Sequence, residues 1–290
     1  GDSSSTVIID GTGNSAAIYS HGSGGSSGAT RFITFRNMHL KGGVNAAMYL
    51  DRTHSDITIQ DIYMDGFQGL GGNSGGTING GRHASGIRDA AIILHPNYYD
   101  TNITVDGVTM IGGPYYCAAS QSGVSTLFCG VDGSAINFNG TGNIRRVYAE
   151  KFLGNFLLRA PQNGVVEYNT VKDFFCDSDD GCIQLYNVAN ATIRYNTFVN
   201  TASINDALAI IRLRRSNVCT TMPSAKIYNN TFIGNPLFGE RGTKAVFDIA
   251  TPTYCEYQTF CPSNPAIGTN GGCSNLSLVQ IGGVIFKNNI

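Results

Sequence analysis

Val165-Val-Glu-Tyr-Asn-Thr-Val171, Ile193-Arg-Tyr-Asn-Thr-Phe198 and Ile227-Tyr-Asn-Asn-Thr-Phe232 are three copies of one short pattern. In each, apolar residues alternate with polar ones, meet a polar pair, and continue through Thr to another apolar residue. Alternation with period two marks a strand with one buried face. The Asn-Thr steps at Asn169, Asn196 and Asn230 suit tight corners, where short amides tolerate left-handed conformations and can bond along a stack. The pattern recurs at Phe32-Ile-Thr-Phe-Arg-Asn-Met-His-Leu40, Ile57-Thr-Ile-Gln-Asp-Ile-Tyr-Met64, Ile103-Thr-Val-Asp-Gly-Val-Thr-Met110, Ile144 to Ala149 and Val284-Ile-Phe-Lys-Asn-Asn-Ile290. Registered at Asn37, Asp61, Gly107, Arg146, Tyr168, Tyr195, Asn229 and Lys287, the copies stand 24, 46, 39, 22, 27, 34 and 58 residues apart. The shortest steps set the repeat length, and the longer ones hold an insertion or a second repeat.

A second family of strands falls between these copies: Ala46 to Asp51, Ala91 to His95, Ala135 to Asn139, Phe156 to Arg159, Cys182 to Asn187, Ala209 to Arg214 and Val246 to Ala250. Alternation puts Met48/Leu50, Ile92/Leu94, Ile136/Phe138, Phe156/Leu158, Ile183/Leu185, Ile211/Leu213 and Phe247/Ile249 on one face. No single repeat can bury that face, so the core exists only as a stack. Regular strand spacing of about 8 to 12 residues, the mark of a β-sandwich, fits these irregular steps less well.

Composition agrees with this reading. Of 290 residues, 37 are Gly, none is Trp, and only 13% are charged, against a usual share of about 25%. A formal net charge of -1 suggests neither a nucleic-acid-binding surface nor a basic membrane patch. Apolar runs such as Ala90 to Leu94 fall far short of the roughly 20 residues that span a bilayer. Eight cysteines without a Cys-x-x-Cys pair point to disulfides and a secreted, extracellular protein. Cys117 with Cys129, and Cys176 with Cys182, are spaced to close local loops; Cys219, Cys255, Cys261 and Cys273 leave their pairing open. Sequons at Asn102, Asn139, Asn190, Asn229 and Asn275 agree with secretion only weakly in so Asn-rich a chain.

From the opening Val7-Ile-Ile-Asp-Gly11, the Ile33-Thr-Phe-Arg-Asn37 copy and the repeated Tyr-Asn-Thr-apolar corners, the chain resembles the right-handed parallel β-helix superfamily, the pectate-lyase-like solenoids. The resemblance implies an all-β solenoid, and the step arithmetic leads us to expect about ten coils over residues 1–290 as a single domain, with loops inserted at 66 to 89, 112 to 133 and 251 to 275 and no terminal caps. It is specific for fold and poor for activity, because the architecture hosts lyases, hydrolases, tailspikes, adhesins and structural proteins.

In such a stack the outward positions of the second strands form two columns: Tyr49, Ile93, Asn137, Leu157, Gln184, Arg212, Asp248; and Asp51, His95, Asn139, Arg159, Tyr186, Arg214, Ala250. Guanidinium groups suit uronate carboxylates, and Tyr or His suits proton transfer. The expected site therefore has Arg159, Tyr186, Arg212 and Arg214 as catalytic candidates and His95, Asn137, Asn139 and Gln184 as substrate-binding candidates. Cys176-Asp-Ser-Asp-Asp-Gly-Cys182 adds Asp177, Asp179 and Asp180 as candidate Ca2+ ligands. It is similar to the Asp-Asp-Gly-x-Asp calcium motif of one pectate-lyase family, with Ile183 at the third acidic position and no Lys in an evident place for that family's base. It is also similar to the Asp-Asp pair of β-helical polygalacturonases, without their His-Gly and Arg-x-Lys signatures.

Other motifs carry less. Gly11-Thr-Gly-Asn-Ser-Ala16 follows a strand but opens no helix, the five histidines lack metal-ligand spacing, and Gly69 to Gly81 lacks the Gly-Lys-Ser/Thr of a phosphate cradle. Two functions are expected: an extracellular protein that binds or cleaves acidic polysaccharide, by β-elimination, and a non-catalytic structural β-helix that joins head to tail into a fibre through edges near Val7 and Val284.

Overall fold

The computed structural model describes residues 6–21, 30–67, 90–94, 99–113, 116–117, 129–130, 133–152, 154–176, 182–186, 190–203, 209–214, 224–234, 245–250 and 284–290. Among the described residues every regular element is a strand, and every pairing is parallel except a two-residue ribbon of Tyr116–Cys117 with Cys129–Gly130. The corner copies form one 15-stranded sheet curled into a half-barrel. The bend lies within the strands themselves. The first half of His54–Asp65 pairs with Asp100–Asp106 and the second half with Thr109–Ile111. Later repeats break at the same point, as in Gln162–Glu167 and Thr170–Cys176, or Ala191–Arg194 and Thr197–Val199.

Strand register lines up Asn37, Asp61, Gly107, Arg146, Tyr168, Tyr195, Asn229 and Asn288, each with a φ between 49° and 66°. Seven of these are the residues on which the sequence copies align. In the last copy the left-handed residue is Asn288, because Lys287 pairs with Tyr228 and belongs to the preceding position. Asn169, Asn196 and Asn230 are not themselves left-handed. The residue before each one makes the bend and keeps its side chain outside, where Tyr168 and Tyr195 are exposed. The following asparagine then turns into the interior.

There the amides form a ladder. Asn169 Nδ2 donates to Asn196 Oδ1 at 2.8 Å, Asn196 Nδ2 to Asn230 Oδ1 at 2.9 Å, and Asn230 Nδ2 to Asn289 Oδ1 at 3.0 Å. Each Oδ1 also accepts a backbone N–H of the previous repeat, and each Nδ2 also donates to a carbonyl freed at the bend, such as Val166 O at 2.9 Å. Buried backbone groups at a corner must find partners, and the side chains supply them. The ladder ends at Val147, whose N–H bonds Asn169 Oδ1 at 2.9 Å; the same position in earlier repeats holds buried Val108 and Ile62.

Two further columns of left-handed residues mark the ends of the corner strands. Phe32, Asp56 and Asn102 share one, and Gly42, Gly66, Lys151, Asp173, Asn200 and Gly234 share the other. Short side chains link neighbours here too: Asn102 Nδ2 donates to Asp56 Oδ1 at 2.7 Å, and Asn200 Nδ2 to Asp173 Oδ1 at 2.6 Å.

The second strand family builds a sheet of Ala16–His21, Ala46–Asp51, Ala90–Leu94 and Ser134–Asn137, and another of Ile183–Tyr186, Ala209–Arg214 and Ala245–Ala250. Leu157 bridges them by pairing with Ile136 on one side and Ile183 on the other. Met48, Ile92, Ile136, Leu157, Ile183 and Ile211 therefore stack, all fully buried, against the apolar face of the corner sheet. This corrects the alternation for one strand, where Leu157 was expected outside beside Asn137 and Gln184. An additional aromatic row fills the interior, with Phe152 stacked between Phe67 and Phe174 at centroid distances of 5.7 and 5.0 Å. Phe67, placed within the insertion expected at 66 to 89, is fully buried in this row, and residues 68–89 lie outside the described residues. The loop expected at 251 to 275 lies outside the described residues.

Replacing Asn196 by Ala removes partners from Val166 O, Asn169 N and two neighbouring amides. At about 1 to 3 kcal/mol per orphaned group, the variant is expected to lose at least about 3 kcal/mol in urea unfolding. Asn200→Ala, which gives up one bond to the half-buried Asp173 carboxylate, is expected to lose about 1 kcal/mol. Lys151 holds a φ of 66° in a column otherwise rich in glycine, a conformation costing a side chain about 1 kcal/mol. Lys151→Gly is therefore expected to match or exceed the native stability in the same measurement.

Candidate functional site

Parallel register decides which outward residues become neighbours. It sets Tyr49 beside Ile93 and Ile93 beside Asn137 in the first of the smaller sheets. In the second it sets Gln184 beside Arg212 and Arg212 beside Asp248, with Tyr186 beside Arg214 and Arg214 beside Ala250. The first expected column is thus assembled on either side of Leu157, and the second from Tyr186 to Ala250. Across that break, Gln184 N donates to Leu157 O at 3.1 Å, while Ala160 N donates to Gln184 O at 2.8 Å. Gln184 alone therefore lies opposite both Leu158 and Arg159, so the strand bulges there.

This outer face is not an open shelf. Ile93, Asn137, Leu158 and Gln184 are buried, whereas Asn139, Arg159 and Arg212 are half-buried. Ile93 belongs to a small apolar cluster with Ala46 and Ala90, against which Tyr49 packs. Both polar atoms of the Asn137 amide are buried and lack a hydrogen-bond partner, an arrangement that costs a few kcal/mol unless something binds there. Of the remaining candidates, His95, Asp177, Asp179 and Asp180 lie outside the described residues, and Tyr186 and Arg214 are placed by backbone register alone. Cys176 and Cys182 form a disulfide with a Cα–Cα distance of 5.0 Å, both cysteines buried in the main core. Cys117 and Cys129 are directly opposed in their antiparallel ribbon.

A second polar face was not singled out by sequence reasoning. Outward positions after the corner carry Tyr63 and Asp65 on one strand and Tyr148 and Glu150 two strands away, with Lys172 on the next. The Tyr148 hydroxyl donates to Glu150 Oε2, and Lys151 Nζ and Lys172 Nζ stand 3.5 and 3.6 Å from Glu150 Oε1. Burial, the Glu150 hydrogen bond and the nearby carboxylates push the Tyr148 phenol up to about 12. Burial works against the Glu150 carboxylate, but the Tyr148 hydroxyl and the two ammonium groups outweigh it and hold the carboxyl below its ordinary value. An ionised acid and a firmly protonated phenol make a lattice of fixed charges, not an acid–base pair for neutral pH.

Before the corner, a further column alternates in sign. Asp106 receives Arg146 Nε at 2.6 Å and Arg145 Nε at 3.0 Å, and these contacts, led by the Arg146 bond, hold its carboxyl below the usual range. Glu167 accepts Arg194 Nε at 2.7 Å, and Arg194 Nη1 donates to the Tyr228 hydroxyl at 3.0 Å. The signal for both faces was present in the sequence, in the polar members of the alternating corner strands.

Asp100 differs from all of these. Its side chain is fully buried; Oδ1 accepts the His54 backbone N–H at 2.6 Å, and Oδ2 has no partner. Burial pushes this carboxyl up to about 7, against the pull of the His54 N–H. Compared with protein-family models, with curated proteins and with solved structures, the chain finds no match.

Because the folded protein retains the Asp100 proton up to about pH 7, while an unfolded Asp releases its proton near pH 4, the folded state binds more protons between those values. Stability from this group is present at low pH and is lost as pH rises through about 7. Asp100→Asn is expected to raise the melting temperature more at pH 8 than at pH 5, where native Asp100 is already neutral. Replacing Cys176 and Cys182 together by Ala is expected to cost about 2 kcal/mol, the loop-closure entropy of so short a ring, measured by denaturant unfolding.

Proposed function

We propose that the chain is a right-handed parallel β-helix that binds acidic polysaccharide along the outer face of its second strand family and cleaves it by β-elimination. The parallel registers and the repeated connectivity support the fold, since crossovers between parallel strands of one sheet are nearly always right-handed. One observation carries the site: Gln184 stands beside Arg212 and Tyr186 beside Arg214 on adjacent parallel strands, spaced by about 4.8 Å. Register thereby brings positions that carry cationic and phenolic residues to a spacing that a uronate chain can follow. The unpartnered Asn137 amide adds a donor and an acceptor suited to a sugar hydroxyl.

In this reading Arg159, Arg212 and Arg214 hold the uronate carboxylate and draw charge from the ring, and Tyr186 takes the proton from C5. The electrons of that C–H bond form the C4–C5 double bond, the C4–O bond breaks, and the departing oxygen takes up a proton. His95, Asn137, Asn139 and Gln184 contact the chain on either side. Asp177, Asp179 and Asp180, between Cys176 and Cys182, would hold a Ca2+ ion, which would supply positive charge to neutralise substrate carboxylates. The disulfide supports a secreted protein, since such bonds persist in oxidising compartments.

Exposed apolar residues on edge strands favour a second reading, end-to-end association. Val7 and Ile8 are about 60% exposed on a strand paired, among the described residues, only with Met38–Lys41 side positions, and Ile285 is exposed on the opposite edge. Unpaired edges of this kind recruit further strands.

Incubation with pectate, alginate and glycosaminoglycans, with Ca2+ and with a chelator, is expected to give the ultraviolet absorbance of an unsaturated uronate from one of them. Tyr186→Phe is expected to slow the reaction by at least about a hundredfold, as loss of a general base does, while binding persists; Arg212→Ala is expected to weaken binding itself. Silence across the panel, with no retention of the chain by any of these polymers, removes the reading. In that case light scattering that shows concentration-dependent growth supports the structural alternative.

A further inference from the structure

Ser20 occupies a position where the following repeats carry Leu50 and Leu94. A hydroxyl in an apolar inward column needs a partner, and its Oγ lies 3.1 Å from His54 Nε2. The histidine ring is fully buried, with Nδ1 2.9 Å from the Arg52 carbonyl oxygen. A carbonyl can only accept, so Nδ1 carries the proton and Nε2 presents its lone pair to the Ser20 hydroxyl. Asp100 Oδ1 accepts the His54 backbone N–H at 2.6 Å and lies 3.8 Å from Nδ1, which places an acidic group behind the ring.

We propose that Ser20 and His54 form a serine nucleophile and its general base, a hydrolytic site for small acyl esters separate from the polysaccharide face. A purely structural Ser–His contact would leave its surroundings satisfied, and these are not. Arg52 Nε and Asp100 Oδ2 are both buried without a hydrogen-bond partner. Arg52, whose carbonyl orients the base, lies in the turn between Ala46–Asp51 and His54–Asp65. Ser20 is only half-buried, and burial holds His54 below its ordinary pKa, so the ring is a neutral base at neutral pH.

The step balances with water as the only co-reactant. Ser20 Oγ attacks the ester carbonyl carbon and passes its proton to His54 Nε2. The carbon–oxygen bond to the alcohol breaks, and that alcohol leaves with the proton from Nε2. Water then attacks the acyl-serine, gives its proton to Nε2, and releases the carboxylic acid as Ser20 recovers its hydrogen.

The probes are an alkyl fluorophosphonate and p-nitrophenyl acetate, applied to the full chain without polysaccharide, so that the outcome is independent of lyase activity. Peptide mass mapping is expected to find the phosphonyl adduct on Ser20 ahead of the chain's other serines. Ser20→Ala is expected to lower acetate ester hydrolysis by about a hundredfold or more, with the circular dichroism spectrum of the folded chain retained. The adduct is read on the native chain, so it does not depend on any variant folding. Absence of the adduct, absence of hydrolysis, or hydrolysis that survives Ser20→Ala overturns the proposal.

Discussion

The amide ladder at the corner is the interaction on which the stack depends. A strand that bends within a repeat frees carbonyl and N–H groups at the bend, and the next repeat covers them before water can reach them. Asn169, Asn196, Asn230 and Asn289 repair this by joining side chain to side chain along the stack and side chain to backbone across it. Asn196 and Asn230 thus have an amide partner on both sides, and removing either disturbs two neighbours. Apolar residues also serve at this position, as Val147, Val108 and Ile62 show. The polar and the apolar solution meet at Asn169, whose Oδ1 accepts from Val147 N and whose Nδ2 donates to Ile144 O.

Inside and outside follow different rules. Inward positions repeat one chemistry from strand to strand, so that like stacks on like: Met48, Ile92, Ile136, Leu157, Ile183 and Ile211. Outward positions of the corner sheet change sign instead, as in Asp106 with Arg145 and Glu167 with Arg194. Adjacent parallel strands bring equivalent residues within one strand spacing, where like charges repel and opposite charges attract. Polar residues that obey neither rule stand out. Asn137 has a buried amide without a partner, and Ser20 replaces leucine in an inward column. Departures from a rule that the rest of the chain keeps are where chemistry is sought.

Much of this was legible before any coordinates. The period-two alternation, the polar corner and the uneven steps imply parallel strands that stack by repeats, and the second family's inward faces follow from the same alternation. Gln184 beside Arg212 and Tyr186 beside Arg214 needed only the assumption that equivalent strands lie in register, which the pairing bears out. The bulge at Leu158 could not be read, because one inserted residue reverses which side chains face inward, and nothing in Phe156-Leu-Leu-Arg159 says where the insertion falls. The one-residue shift from Lys287 to Asn288 is of another kind: the register there is regular, with Lys287 beside Tyr228, so that Asn288-Asn289 matches Asn229-Asn230.

By itself, then, the sequence determined the class of strand, the position of the bends and the residues that share a face, because these depend on alternation and on the local preferences of asparagine and glycine. Tertiary structure decided what lies next to what across repeats of unequal length. Ser20, His54 and Asp100 are 34 and 46 residues apart along the chain, and no local signal joins them. Only the stacking of one repeat on another brings a hydroxyl to 3.1 Å from an imidazole and an acidic group behind it. Burial, which raises Asp100 and lowers His54, is likewise a property of the packed stack, since the same side chains on an extended chain would be surrounded by water.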